Sequence, residues 1–231
     1  MFRLPKIWII PVIFILIFFS MWFFAEKTSS SFKTSKPYRV GLQVGHWKAD
    51  QLPEELKKIR HVQGASAAGK MEWEVNLAIA KKTASLLRKH GVTVDILPAT
   101  IPPGYSADAF IAIHADQNPD PKFTGFKTAP ALNQVRSLGE NLSGYIEDEY
   151  HKVTGMKPDN EITLAMTRYY AFNFRKFKHS VSPQTPAVIL ETGFLSNLKD
   201  QEMLINYPEI SARAIANGIL RFLYKSLDFS Y

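Results

Sequence analysis

The chain has 231 residues, no cysteine, a formal net charge of +7 and 46% hydrophobic residues. That length allows one ordinary domain with a full core beside an apolar N-terminal stretch. The missing cysteines exclude disulfide frameworks and thiolate metal sites, so any metal must be held by His and carboxylate.

The positive charge is spread rather than blocked, so no nucleic-acid partner is indicated. It suits anionic surroundings such as phospholipid head groups or an acidic wall polymer. Arg3 and Lys6 precede residues 7–25, an uncharged run interrupted only by Pro11 and Ser20. At about 1.5 Å per residue this run reaches roughly 28 Å, close to a hydrocarbon core of about 30 Å. Its exit, Trp22-Phe23-Phe24-Ala25, carries bulky Phe23 where a cleavage site needs a small residue. Residues 1–25 are therefore expected to be a cytoplasmic stub and an uncleaved transmembrane signal-anchor, with everything beyond Glu26 outside the cell membrane. Residues 26–37, rich in Ser, Thr and Lys, read as a solvated linker. That leaves 38–226 as the folded domain and 227–231 as a short tail.

Within the domain, 39–44 predicts a strand, 51–60 a short helix and 63–70 a small-residue loop. The clearest helix is 72–90, where Val75, Ala78, Ile79, Leu86 and Leu87 recur at helical spacing and Gly91 supplies a stop. Residues 92–97 alternate as a strand, a proline-rich connection follows, and 109–113 is the next strand. An irregular loop at 119–130 leads to a second long helix at about 133–153. Residues 161–174 fit helix or strand equally. Pro186 introduces a strand at 187–190, and 211–224 is a terminal helix. Strands alternating with helices indicate an α/β fold with an open, mostly parallel twisted sheet and helices on both faces.

His46, His114 and Glu191 each follow closely on one of these apolar runs. Ligands in open α/β sheets bind outside the carboxyl ends of the strands, so the three converge although they are far apart in sequence. Two imidazoles and a carboxylate form a donor set suited to zinc, and a catalytic zinc takes three protein ligands. Glu72 and Glu74 both lie at the start of the long helix, whose first turn returns near the sheet's carboxyl end. They point about 200° apart on a helix, and spacing does not choose between them. A further carboxylate, Glu191, is suited to take a proton from water and return it to a leaving amine.

Four segments carry a resemblance: Val44-Gly45-His46; Glu72-Trp73-Glu74-Val75-Asn76; Ile111-Ala112-Ile113-His114-Ala115-Asp116; and Pro186-Ala187-Val188-Ile189-Leu190-Glu191-Thr192-Gly193-Phe194-Leu195-Ser196-Asn197. In order and spacing they resemble the signature segments of zinc-dependent N-acetylmuramoyl-L-alanine amidases, the catalytic domains of cell-wall amidases. The likeness spans roughly 38–224 and includes Asp200 and Leu204. It implies zinc as cofactor, His46, Glu72 and His114 as its ligands, and Glu191 as the catalytic glutamate. Glu72 is preferred over Glu74 because the family ligand lies four positions before the Asn matched by Asn76. The implied reaction is hydrolysis of the amide joining N-acetylmuramic acid to L-alanine in peptidoglycan, by a domain covering 38–226.

After Gly45-His46 this chain carries Trp47-Lys48-Ala49-Asp50, where the family usually has further glycines and an aspartate. That difference motivates two competing readings on the same fold: a non-catalytic peptidoglycan-binding or regulatory domain, or a zinc hydrolase acting on another cell-wall bond. Gly64 to Lys70 matches most of a phosphate-binding loop, but Met71 stands where Ser or Thr would meet magnesium, so no nucleotide is expected. Asn76 is a candidate to orient a ligand, and His179 a weaker candidate to line the site. Tyr169, Tyr170, Phe172, Phe174 and Phe177 are expected in the core, with one or two free to stack on sugar rings.

Overall fold

The computed structural model describes residues 36–132 and 136–228, and its compact unit begins at Pro37. The expected span at 7–25 and most of the expected linker lie outside the described residues. Among the described residues no helix is long and apolar enough to cross a membrane.

Five strands form one sheet in the order β4-β1-β5-β7-β6: β1 Arg39–Val44, β4 Thr93–Leu97, β5 Ala109–Asp116, β6 Lys127–Pro130 and β7 Ala187–Phe194. The first four strands in that order run parallel, and β6 closes one edge antiparallel to β7. Two short strands, β2 Ser66–Ala67 and β3 Lys70–Met71, make a separate hairpin. The chain leaves β1 through helix α1, Glu72–Lys89, to reach β4 on one side, then crosses to β5 on the other. The strand order therefore reverses between β1 and β5, which opens a crevice at their carboxyl ends.

Side-chain alternation along each strand divides the core in two. Val40, Leu42 and Val44 of β1, Ile111 and Ile113 of β5, and Val188 and Leu190 of β7 face a large cluster built with the long helices. These helices are α1, α2 (Arg136–Thr154) and α5 (Pro208–Asp228). From α1, Val75, Ile79, Ala80, Ala84 and Leu87 are buried, a stripe at helical spacing that packs on the sheet. Pro208 opens α5, where its fixed φ costs nothing and no intrahelical N–H is lost.

The opposite face, with Phe110, Ala112, Ala129, Ala187 and Ile189, is covered differently. Ile101, Tyr105, Met166, Ala171, Phe172 and Val181 pack there from loops, from the one-turn helix α3 (Leu164–Thr167) and from a 3-10 turn at Tyr170–Phe172. The expected helices on both faces are thus unequal: long helices cover one face and short helical pieces the other. Two further elements differ from expectation. Residues 127–130 form β6 instead of continuing an irregular loop, because pairing with β7 satisfies their backbone. Helix α4, Leu198–Asn206, is capped by Asn197, whose side chain accepts from the backbone N–H groups of Lys199 and Asp200.

Candidate metal centre

The crevice between β1 and β5 gathers His46, Glu72 and His114, with one potential ligand atom of each lying within 4.8 Å of the others. His46 follows β1 by two residues with φ 63, the left-handed region that non-glycine residues enter at a cost. Its Nδ1 lies 2.8 Å from the Val62 carbonyl. A carbonyl only accepts, so Nδ1 carries the proton and the lone pair of Nε2 faces Glu72 Oε2 at 3.4 Å.

Glu72 is the first residue of α1 and is buried. The Ala65 N–H donates to its Oε2, and the Ala115 N–H and Asn76 Nδ2 donate to its Oε1. His114 Nδ1 faces the same Oε1 at 3.1 Å. Burial alone would raise the Glu72 carboxyl, but the hydrogen bond and charge of His114, with His46 and the Ala65 N–H, bring it down to about 2. Glu74 points away and accepts from the Met71 N–H, closing the helix N-terminus. The two carboxylates that spacing left open are separated by tertiary contact, Asn76 orienting the inner one.

His114 and Glu191 lie within their strands, which run on to Asp116 and Phe194, rather than after them as the apolar runs suggested. The strands continue because His114 pairs in register with Glu191, and only then does the ladder shift between His114 and Asp116. Such a shift re-aims side chains at a strand end. The Thr192 hydroxyl donates to the His114 carbonyl and holds this corner. Burial would depress the His114 imidazole, but the Glu72 hydrogen bond and the charges of Glu191, Glu72 and Asp116 raise it. For His46, burial prevails and its imidazole is lowered.

The Glu191 carboxylate has no short hydrogen bond among the described residues. Burial, with Glu72 and Asp116 nearby, pushes it up to about 7, against the pull of His114 and Lys127. Lys127 is its register partner on β6, with Nζ 2.7 Å from Asp116 Oδ2 and 3.3 Å from Asp159 Oδ2. A carboxyl titrating near neutrality is suited to taking and returning protons.

Two glycines make room for this group. A Cβ on Gly45 would strike the His114 ring, and one on Gly64, which has φ +75, would strike the Glu72 carboxylate and the His46 ring. The two imidazoles, the ionised carboxylate and these cleared approaches fit a divalent cation that takes N and O ligands. The stretch Gly64–Lys70 is therefore no phosphate cradle. Its residues form the β2–β3 hairpin, turned at Ala68 and Gly69, both of positive φ, and Ala65 docks on the Glu72 carboxylate.

Beside His46 opens a cleft of about 430 Å³ walled by Trp47, Lys48, Arg60, Met71 and Trp73. His179 does not join the metal group: its backbone N–H and Nδ1 are both held by Glu55 Oε1, at 2.8 and 2.7 Å. Tyr169, expected in the core or stacking on sugar rings, sets its hydroxyl 3.0 Å from His114 Nε2. Its partner on the other side of the sequence could not be read from aromatic clustering alone.

Comparison with known proteins agrees with this geometry. Residues 40–221 match the family model described as N-acetylmuramoyl-L-alanine amidase. The N-acetylmuramoyl-L-alanine amidase AmiA of Salmonella typhimurium is 26% identical over 203 residues, covering 68% of this chain and 70% of its own. The probable cell wall amidase LytH of Staphylococcus saprophyticus is 26% identical over 207 residues, covering 84% of this chain and 61% of its own. Among solved structures, an N-acetylmuramoyl-L-alanine amidase from Clostridium difficile 630 superposes with a TM-score of 0.59 at 21% identity, covering 85% of this chain and 100% of that one.

Proposed function

The chain belongs to the N-acetylmuramoyl-L-alanine amidase family, and from that premise we propose a zinc-dependent hydrolase of the cell wall, anchored in the membrane by its N-terminal apolar run. It hydrolyses the amide between N-acetylmuramic acid and L-alanine in peptidoglycan. His46, Glu72 and His114 would hold zinc, and Glu191 would carry the proton. The observation that carries the assignment is the convergence of two imidazoles and an ionised carboxylate at the β1/β5 crevice, with Glu191 in register beside His114.

Zinc, when bound, supplies Lewis-acid chemistry, polarising a carbonyl and acidifying water. The chain's own residues do the rest. Glu191 accepts a proton from water as oxygen adds to the lactyl carbonyl carbon. It then gives that proton to the alanine nitrogen as the C–N bond breaks, leaving a lactyl carboxylate and a free amine. Glu72, held ionised by three N–H donors, keeps a fixed negative charge between the two imidazoles. The cleft beside His46, with two tryptophans and two cations, suits a sugar ring and an acidic stem peptide.

The anchor rests on residues 7–25 and the positive residues before them. It sets the catalytic domain on the outer side of the cell membrane, and protease accessibility of intact cells tests it. For the reaction, purified protein is expected to carry about one zinc per chain and to release free stem peptides from sacculi. Mass spectrometry of the digest decides: a new N-terminal alanine supports the amidase, whereas cleavage elsewhere in the stem, deacetylated sugars, or binding without product overturns it.

A further inference from the structure

Tyr169 sits on the one metal-facing imidazole whose outer nitrogen is not held by a backbone carbonyl. The two nitrogens of His114 have different neighbours: Nδ1 faces Glu72 Oε1 at 3.1 Å and Nε2 faces the Tyr169 hydroxyl at 3.0 Å. A neutral imidazole has one N–H and one lone pair, and only the lone pair ligates a metal. Without metal, the Glu72 carboxylate only accepts, so Nδ1 carries a proton toward it. Once the Nδ1 lone pair is given to zinc, the proton belongs on Nε2, where the Tyr169 oxygen accepts it.

The ring of Tyr169 has a position imposed from further away. It packs against the Tyr170 ring, the two centroids lying 4.5 Å apart. Tyr170 in turn donates to the Ala99 carbonyl at 2.6 Å. Gln43 Nε2, wholly buried on β1, donates to that carbonyl at 2.8 Å and to the Tyr170 oxygen at 3.0 Å. Tyr170 and Gln43 are thus fixed on the Ala99 carbonyl, and the Tyr169 ring is held against Tyr170 beside His114. A Tyr169 hydroxyl that donated to Nε2 would leave Nδ1 protonated, the tautomer that cannot ligate.

We propose that Tyr169 is the positioning residue that holds His114 in its ligating tautomer, its ring set in place by Tyr170, which Gln43 and the Ala99 carbonyl fix. This rests on His114 being a zinc ligand. Outer partners of this kind commonly account for about tenfold to a hundredfold in metal affinity, so Tyr169→Phe should weaken zinc binding by that factor in chelator competition. It should also shift the visible spectrum of the cobalt-substituted protein. Tyr170→Phe, one step further out, should move both in the same direction by less.

The control is wild type in the same assays. If wild type binds no zinc, the functional reading fails. If wild type binds zinc and Tyr169→Phe matches it in affinity and cobalt spectrum, the positioning role is overturned while the amidase stands. A Tyr169→Phe protein that is merely less stable to denaturant, with unchanged zinc affinity, also overturns it. Nitrogen NMR of labelled histidine in the zinc-loaded protein reads the tautomer directly, and a proton found on Nδ1 of His114 would sink the proposal.

Discussion

The two faces of the sheet are built on different principles. One is covered by three long helices whose buried stripes are apolar and regular, so its stability comes from area removed from water. The other is covered by loops, a single-turn helix and 3-10 turns, whose backbone cannot satisfy itself and is tied by specific polar contacts. Asp95 accepts from Tyr105 and Arg39, Ala99 accepts from Gln43 and Tyr170, and Glu55 holds the 178–179 backbone. By strand alternation His114 and Glu191 belong to this second face, with Phe110, Ala112, Ala187 and Ile189. Only Glu72 reaches the centre from the helical side. The comparison teaches that this fold puts its large apolar core on one side of the sheet and the proposed proton carrier, Glu191, on the other.

The largest effect expected to test that division is on Glu191. Glu191→Gln should retain zinc and fold normally while turnover on sacculi falls by about 10²–10⁴-fold, because a proton carrier is lost. Ordinary turnover in this variant would break both the mechanism and the division of labour. Next comes Ile79→Ala under the helical face. It removes a fully buried side chain and should cost about 2–5 kcal/mol in denaturant unfolding. The zinc affinity of the folded fraction should stay within a few-fold of wild type. On the irregular face, Tyr105→Phe deletes the 2.6 Å hydrogen bond to Asp95 and should cost about 1 kcal/mol. A loss as large as that of Ile79→Ala would show that the second face is no weaker than the first.

A further effect is a pH dependence in the metal-free protein. The folded Glu191 carboxyl titrates near 7, above the ordinary value of 4.5, so between those values the native state holds more protons than the unfolded one. Its contribution therefore falls as pH rises through that window. Metal-free Glu191→Gln should be more stable than metal-free wild type at pH 8, and the two should converge below pH 4.5. Thermal melts at both pH values measure this, and an equal gap at both would remove Glu191 as the cause.

The elements legible in the sequence are those whose periodicity is self-contained. Helix α1 and strands β1 and β4 fall within a residue of expectation, and α5 extends its expected range at both ends. What escaped was decided by partners. Strand β6 carries Lys127 and Pro130 and exists through its pairing with β7. The 161–174 segment is helical only in short pieces, α3 and the 3-10 turn at Tyr170–Phe172, because its residues follow the shape of the sheet beneath rather than a long repeat of their own.

The metal group divides along the same line. His46, His114 and Glu191 stand out because they close apolar strand runs, and chain order alone brings strand ends together in a parallel sheet. The choice of Glu72 over Glu74 had only a family likeness behind it until Ala65, Asn76 and Ala115 were seen to converge on one carboxylate. Tyr169 had no signal beyond being aromatic. Sequence by itself determined which residues can bind or carry a proton, since that is a property of side-chain chemistry and of local period. Tertiary structure alone decided which nitrogen faces inward, which glutamate is ionised and which hydroxyl holds the ring, because those depend on hydrogen bonds between residues 42 to 127 positions apart.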